Sequence, residues 1–189
     1  MFKYKKILNY PVEIKTKDLS MAKLIITQFG GFAGELGAAL RYFSQKFTMP
    51  DDEGKALLND IATEELGHVE MICAILHGLM KDASLEELKK YGLDKYYVEH
   101  GKGLYPTNAF GVPFDASTFA VTGDPIVDLE EDLAAEQKAR IVYEHLIENA
   151  KTDDILAPLL FLRQREVVHY NSFKELLNRY KSNLKSSKI

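Results

Sequence analysis

A single cysteine, Cys73, stands among 189 residues, so no intramolecular disulfide framework can hold the chain together. It falls in the second of the helices predicted below and reads as a small core residue in a reducing compartment. A basic excess is missing as well. The chain has 24 Lys and Arg against 28 Asp and Glu, a formal charge of −4 and a pI near 5.8, which argues against the basic face of a nucleic-acid binder. No apolar run approaches the ~20 residues of a membrane span. The opening Met1-Phe-Lys-Tyr-Lys-Lys-Ile-Leu-Asn-Tyr-Pro11 is basic but carries no apolar stretch of signal length. These absences leave a soluble, cytoplasmic protein as the expectation, with one substantial core and no sign of a second domain.

What the sequence does contain is a repeated interruption of apolar stripes. Steps of three and four residues pick out Leu58, Ile61, Glu65, His68, Ile72, Ile75 and Leu79, a helical seam that should face a core. A carboxylate and an imidazole break it at its centre. The pattern recurs in Leu159, Leu162, Glu166, His169, Phe173, Leu176 and Tyr180. Glu35 precedes Glu65 by the same interval that separates Glu136 from Glu166, and Tyr42 and Tyr143 keep the same register. One Glu-x-x-His is weak evidence, since such a pair is more often an ordinary surface feature; two in register, each with an upstream Glu, form a strong signal. A buried carboxylate without a partner costs several kcal/mol or neutralises, and a metal ion is the most economical partner.

The intervals also predict a topology. A turn near Pro50-Asp51 brings Glu35 level with Glu65 and His68, and a turn near Lys151-Thr152-Asp153 brings Glu136 level with Glu166 and His169. Two antiparallel hairpins then gather four carboxylates and two imidazoles at one height. That is the arrangement of ferritin-like dimetal proteins, so the fold class predicted is all-α, a ferritin-like four-helix bundle with a long crossover. In chain order we expect an N-terminal arm over 1–18 and helices at about 19–46, 51–81, 125–150 and 153–180, making a bundle over 19–180. The crossover takes 82–123, and a polar tail occupies 181–189.

Asp18 or Ser20 would cap the first helix. Gly30, Gly31, Gly34 and Gly37 within it mark either the close approach of another backbone or of substrate, or a local kink. Tyr96, Tyr97, Tyr105, Phe110 and Phe114 in the crossover suggest packing or subunit contact. Glu64 competes with Glu65 on helical angle, but the repeat favours Glu65, since Arg165 and Glu166 stand at the matching positions. His100 and His145 lie off the repeat and read as surface or supporting groups.

Four ionised carboxylates are neutralised by two divalent cations, and oxygen-rich ligation with one nitrogen per metal suits iron or manganese better than structural zinc. Two redox-active ions side by side can share a two-electron step, which fits peroxide or dioxygen as substrate. Tyr42 and Tyr143 are expected to hydrogen-bond to the metal ligands or simply to pack.

The Lys-Lys-Ile-Leu-Asn-Tyr-Pro-Val-Glu-Ile opening resembles the manganese catalases. So do the Gly-Gly-Phe-Ala-Gly-Glu-Leu-Gly-Ala-Ala-Leu-Arg-Tyr and Ala-Thr-Glu-Glu-Leu-Gly-His-Val-Glu-Met blocks and the Arg-Glu-Val-Val-His segment, and the likeness is strongest to the short branch found in spore coats. The resemblance implies two manganese ions that disproportionate hydrogen peroxide, in a homohexamer, with a cytoplasmic or spore-coat location and coat proteins as partners. Carried over, it makes Glu35, Glu65, His68, Glu136 and His169 the metal ligands. The repeat alone would make Glu166 a sixth ligand, whereas the resemblance implies a general acid and base standing off the metals. Longer members continue past the fourth helix with a segment that wraps a neighbour, which this sequence does not show. The competing readings are a diiron peroxidase or ferritin-like oxidase, and a mainly structural coat protein.

Overall fold

The computed structural model describes residues 5, 7–95, 103–118 and 121–186. Its helices are α1 (Leu19–Gly30), α2 (Glu35–Gln45), α3 (Asp52–Leu79), α4 (Leu85–Lys90), α5 (Pro125–Asn149) and α6 (Asp153–Ser186). The pair α1/α2 runs against α3, and α5 against α6, so that two hairpins form a ferritin-like bundle. No described helix is long and apolar enough to cross a membrane.

The helix starts follow from local chemistry. Asp18 accepts a hydrogen bond from the Met21 amide, Asp51 from Gly54, and Asp124 from Ile126 and Val127 with Pro125 at the first helical position, satisfying donors that have no partner inside the helix. Asp51 also ties the two hairpins, accepting the Tyr180 hydroxyl at 2.9 Å and pairing with Arg179 at 3.0 Å. Every residue of both predicted seams is buried. Below the Glu and His level, Ile25, Ile72, Ile75, Leu79, Leu159 and Leu162 share one apolar cluster. Above it, Tyr42, Leu58, Ile61, Leu129, Phe173 and Leu176 share another. Each such side chain contributes roughly 1.5–3 kcal/mol when removed from water.

The first expected helix, 19–46, is in fact two. Gly30 ends α1 and Gly34 caps α2, so the helix breaks over residues 31–34 immediately before Glu35. Both uses foreseen for the glycines operate. The chain kinks there, and at Gly30 another backbone comes close, since a Cβ would lie 1.8 Å from the Thr107 nitrogen. Thr107 belongs to the crossover, which also donates the Ala109 amide to Thr27 Oγ1 at 3.0 Å.

The last helix does not end at about 180. It continues through Ser186, with Lys181 pairing to Glu130 at 2.6 Å, because the residues from Lys181 contain no proline or glycine to stop it. Cys73 is half-buried rather than in the core, and burial with the nearby Glu70 charge pushes its thiol up to about 11, which keeps it protonated. The arm lies along α3, where Asn9 packs over Gly67 and Ile14 over Gly78, and Tyr10 stacks on Phe161 at 5.2 Å. His145 is exposed beside Glu148. His100, Tyr96 and Tyr97 lie outside the described residues.

Candidate metal centre

The six residues picked out by the repeat converge. Glu35 is the first residue of α2, Glu65 and His68 lie at the middle of α3, Glu136 on α5, and Glu166 and His169 on α6; none is more than 3% exposed. Their ligand atoms form two overlapping quartets, Glu35–Glu65–His68–Glu166 and Glu65–Glu136–Glu166–His169, each with its atoms within 4.8 Å of one another. Glu65 and Glu166 belong to both.

Glu65 spans the middle. Its Oε2 is 2.7 Å from His68 Nδ1 and its Oε1 2.9 Å from His169 Nδ1. Glu35 Oε2 flanks His68 Nδ1 at 3.5 Å, and Glu136 Oε2 flanks His169 Nδ1 at 3.7 Å. The two imidazoles stack 5.7 Å apart with planes at 23°. Each tyrosine reaches across to the other hairpin, Tyr42 donating to Glu136 and Tyr143 to Glu35. Burial and those carboxylates raise both phenols well above their ordinary range, so they remain donors.

Sequence reasoning missed how the far sides of the imidazoles are held. Glu64 Oε1 is 3.6 Å from His68 Nε2 and Glu64 Oε2 is 3.4 Å from His169 Nε2, so one carboxylate faces both rings. Arg165 grips that carboxylate through Nε and through Nη2 at 3.1 Å. The residue that competed with Glu65 for ligand status therefore stands behind both histidines at ion-pair distance, without a hydrogen bond to either Nε2, and Nδ1 of each ring faces inward. Its signal was present, because Glu64 and Arg165 occupy equivalent positions of the repeat, and near a two-fold axis equivalent positions touch.

The electrostatics are those of a layer with excess negative charge. Burial, then the Glu65 charge, pushes Glu35 up to about 7. Burial, then Glu35, Glu136 and Glu65, raises Glu166 well above the usual carboxylate range. Burial also raises Glu136. Glu65 moves the other way: burial opposes its charge, but His169 and His68 outweigh that and hold it low. Burial likewise opposes charge on both histidines, and Glu65 outweighs it to raise them. The layer draws positive charge wherever it can be placed.

These residues fit a pair of cations. Glu65 Oε1, Glu136 Oε2, Glu166 Oε1 and His169 Nδ1 are buried without a hydrogen-bond partner. His169 Nδ1 and Glu65 Oε1 are close yet not aligned for a hydrogen bond, as expected of two lone-pair donors that share an ion. A partly enclosed cavity of about 40 Å³ leads to the centre from the helix break, lined by Phe32, Gly34, Glu35, Arg41, Glu136 and Glu166 among others.

Comparison with known proteins agrees with this geometry. Residues 1–187 match the family described as manganese containing catalase. The chain is 47% identical to Protein CotJC of Bacillus subtilis (strain 168) over the full length of both, and 35% identical to a probable manganese catalase of Clostridium acetobutylicum, covering 96% of this chain and 82% of that one. Among solved structures, KatB, a manganese catalase from Anabaena, superposes with a TM-score of 0.86 at 32% identity, covering 96% of this chain and 81% of that one. The chain, with a buried Glu and His cluster able to hold metal between its two hairpins, belongs to the manganese-containing catalase family and is a manganese-dependent catalase with a dimanganese centre.

Proposed function

We propose that Glu35, Glu65, His68, Glu136 and His169 would hold the two manganese ions, and that Glu166 is the acid and base of peroxide disproportionation. The observation that carries the ligand assignment is the reach of Glu65 to an inward Nδ1 on each side. Bound manganese supplies the two-electron exchange by which one peroxide is reduced to water and another oxidised to dioxygen. The chain's own residues supply the rest. The Glu64 carboxylate, gripped by Arg165, places negative charge behind both imidazoles, while Tyr42 and Tyr143 hold Glu136 and Glu35 in place. Glu166 lines the cavity with Oε1 unpartnered, so it can accept a peroxide proton and return one to the departing oxygen.

Glu166→Gln tests this role. Oxygen release should fall by ~10²–10⁴-fold while two manganese ions per chain remain on metal analysis; undiminished turnover would overturn it. Iron in protein purified without added metal, with no oxygen released, would instead support the diiron reading.

The expected homohexamer is part of the same proposal. It is supported by Phe47, Phe110 and Ile7, which are 76%, 82% and 66% exposed and would be covered by neighbouring copies. A monomer in sedimentation would refute it. A spore-coat location rests on full-length similarity to CotJC and on the branch the sequence resembles. Recovery of the chain from the soluble cytoplasm alone, with none in extracted coats, would count against it.

A further inference from the structure

Beside the metal layer lies a polar group that the catalytic roles above do not use. Arg41 on α2 is 5% exposed, lines the access cavity next to Glu35, Glu136 and Glu166, and has Nε and Nη1 buried without a hydrogen-bond partner. Gln45, one turn on, and Asp132 on α5 are buried too; Asp132 lies against Gln45 and within reach of the Arg41 charge, although none of these side-chain atoms is aligned in a well-formed hydrogen bond. The other basic group of the cavity, Lys138, is exposed and pairs with Glu131 at 3.7 Å. Arg41 is therefore the cavity's buried cation, and a desolvated guanidinium with idle N–H groups is expensive unless something arrives to accept from it.

The cluster also breaks the internal symmetry. The positions matching Arg41, Gln45 and Asp132 in the other half are Val142, Leu146 and Gly31, whereas the metal ligands and tyrosines are matched like for like or nearly so. A group needed only to hold two equivalent ions would be expected on both sides. One present on a single side, and on the side where the cavity opens, serves what comes through that opening.

We propose that Arg41 is the peroxide-binding residue of the access cavity, donating from Nε and Nη1 to the incoming oxygen atoms, with Asp132 and Gln45 as positioning residues that aim it. The chemistry is complementary. Peroxide offers two O–H donors and four lone pairs, and the rest of the polar wall near the centre consists of carboxylates, which can take its protons but, when ionised, donate nothing, and of Tyr42, whose hydroxyl is already given to Glu136. As a proton moves from peroxide to Glu166, the bond to that hydrogen breaks, one forms to the carboxylate oxygen, and the negative charge passes from Glu166 to the peroxide oxygen, where the guanidinium meets it. This last step rests on the proton role proposed for Glu166; the binding role does not.

The test is steady-state oxygen release by manganese-loaded Arg41→Met and Arg41→Lys. In Arg41→Met the KM for peroxide should rise about 10-fold or more with kcat within about 3-fold, the loss expected of a charge-assisted hydrogen bond, and Arg41→Lys should recover part of it. Asp132→Asn should give a smaller rise in KM at full manganese content. An unchanged KM in Arg41→Met overturns the proposal, and so does a lowered melting temperature with KM unmoved, which would mark a structural arginine. If Arg41→Met does not fold, Arg41→Gln carries the same expectation and the same refutation. Wild-type kcat in Glu166→Gln together with raised KM in Arg41→Met would remove the role of Glu166 alone; the converse would remove that of Arg41 alone.

Discussion

The two hairpins carry the same Glu and His pattern in the same register but are not built alike. In the second, α5 passes its glutamate without interruption, and Glu136 sits mid-helix among side chains. In the first, the corresponding helix is broken over residues 31–34, and Glu35 stands at the first position of a new helix with bare backbone before it. The unbroken half provides rigidity and the broken half provides access, because the cavity opens at Phe32, Ala33 and Gly34. A carboxylate is at ease at a helix N-terminus, where free amides and the helix dipole favour negative charge. The break therefore opens a path to the layer beside Glu35, and the helix start favours a carboxylate there against the burial and the Glu65 charge that push it up to about 7.

The sharpest test of that asymmetry compares the two central glutamates, Glu65 and Glu166, which occupy equivalent repeat positions. Glu65→Ala should abolish binding of both ions, His68→Ala and His169→Ala should each lose one, and Glu166→Gln should lose none; metal analysis after dialysis distinguishes them. Equal losses from Glu65→Ala and Glu166→Gln would mean the halves share the ions symmetrically.

Acidity gives the next largest effect. In the metal-free protein Glu35, raised to about 7 from its ordinary 4.5, contributes stability at low pH that is lost as pH rises through that window, and the raised histidines act with the same sign. Glu64 and Glu65 are held low, so their contribution disappears only below the ordinary carboxylate range. Metal-free protein should therefore melt higher at about pH 5.5 than at about pH 8. Added manganese should reverse the order, since protons compete for the same ligands. Thermal melts followed by circular dichroism, with and without manganese, test both signs.

A methyl group at the break comes third. Gly30→Ala would press against the Pro106–Thr107 backbone and should destabilise by ~1–3 kcal/mol, the usual range for overpacking, read as a lower denaturant midpoint. The uninterrupted α5 has no glycine to pinch, so Ala134→Gly at an exposed position of it should cost only ~1 kcal/mol. The smallest effect expected is from the tyrosines: Tyr42→Phe and Tyr143→Phe should each weaken manganese binding by about 10-fold, and unequal losses would show which glutamate depends more on its phenol.

The ligand layer was legible in the sequence because it is written twice, and an offset shared by Glu35, Glu65, His68 and Tyr42 with their counterparts is hard to produce by chance. Features written once were not. Nothing in the periodicity of Arg41, Gln45 or Asp132 marks them as a cluster, since each falls on a plausible polar face until α2 and α5 are set side by side. The helix break had a visible cause in its glycines, but whether they bend a helix or admit a neighbour depends on the crossover at Thr107, far along the chain. The extension of α6 through Ser186 had no stop signal to contradict it, only polar composition, which a solvent-facing helix end shares with a coil.

The crossing of tyrosines and ligands between hairpins bears on how the catalyst is made. Of the residues proposed to hold metal, Glu136 and His169 come from the second hairpin, and Tyr143 reaches Glu35 from there as well. A nascent chain emerging N-terminus first thus lacks the second binding place, and the phenol that steadies Glu35 in the first, until its final helices have left the ribosome. On that ligand set, only a finished molecule takes up the full pair of ions.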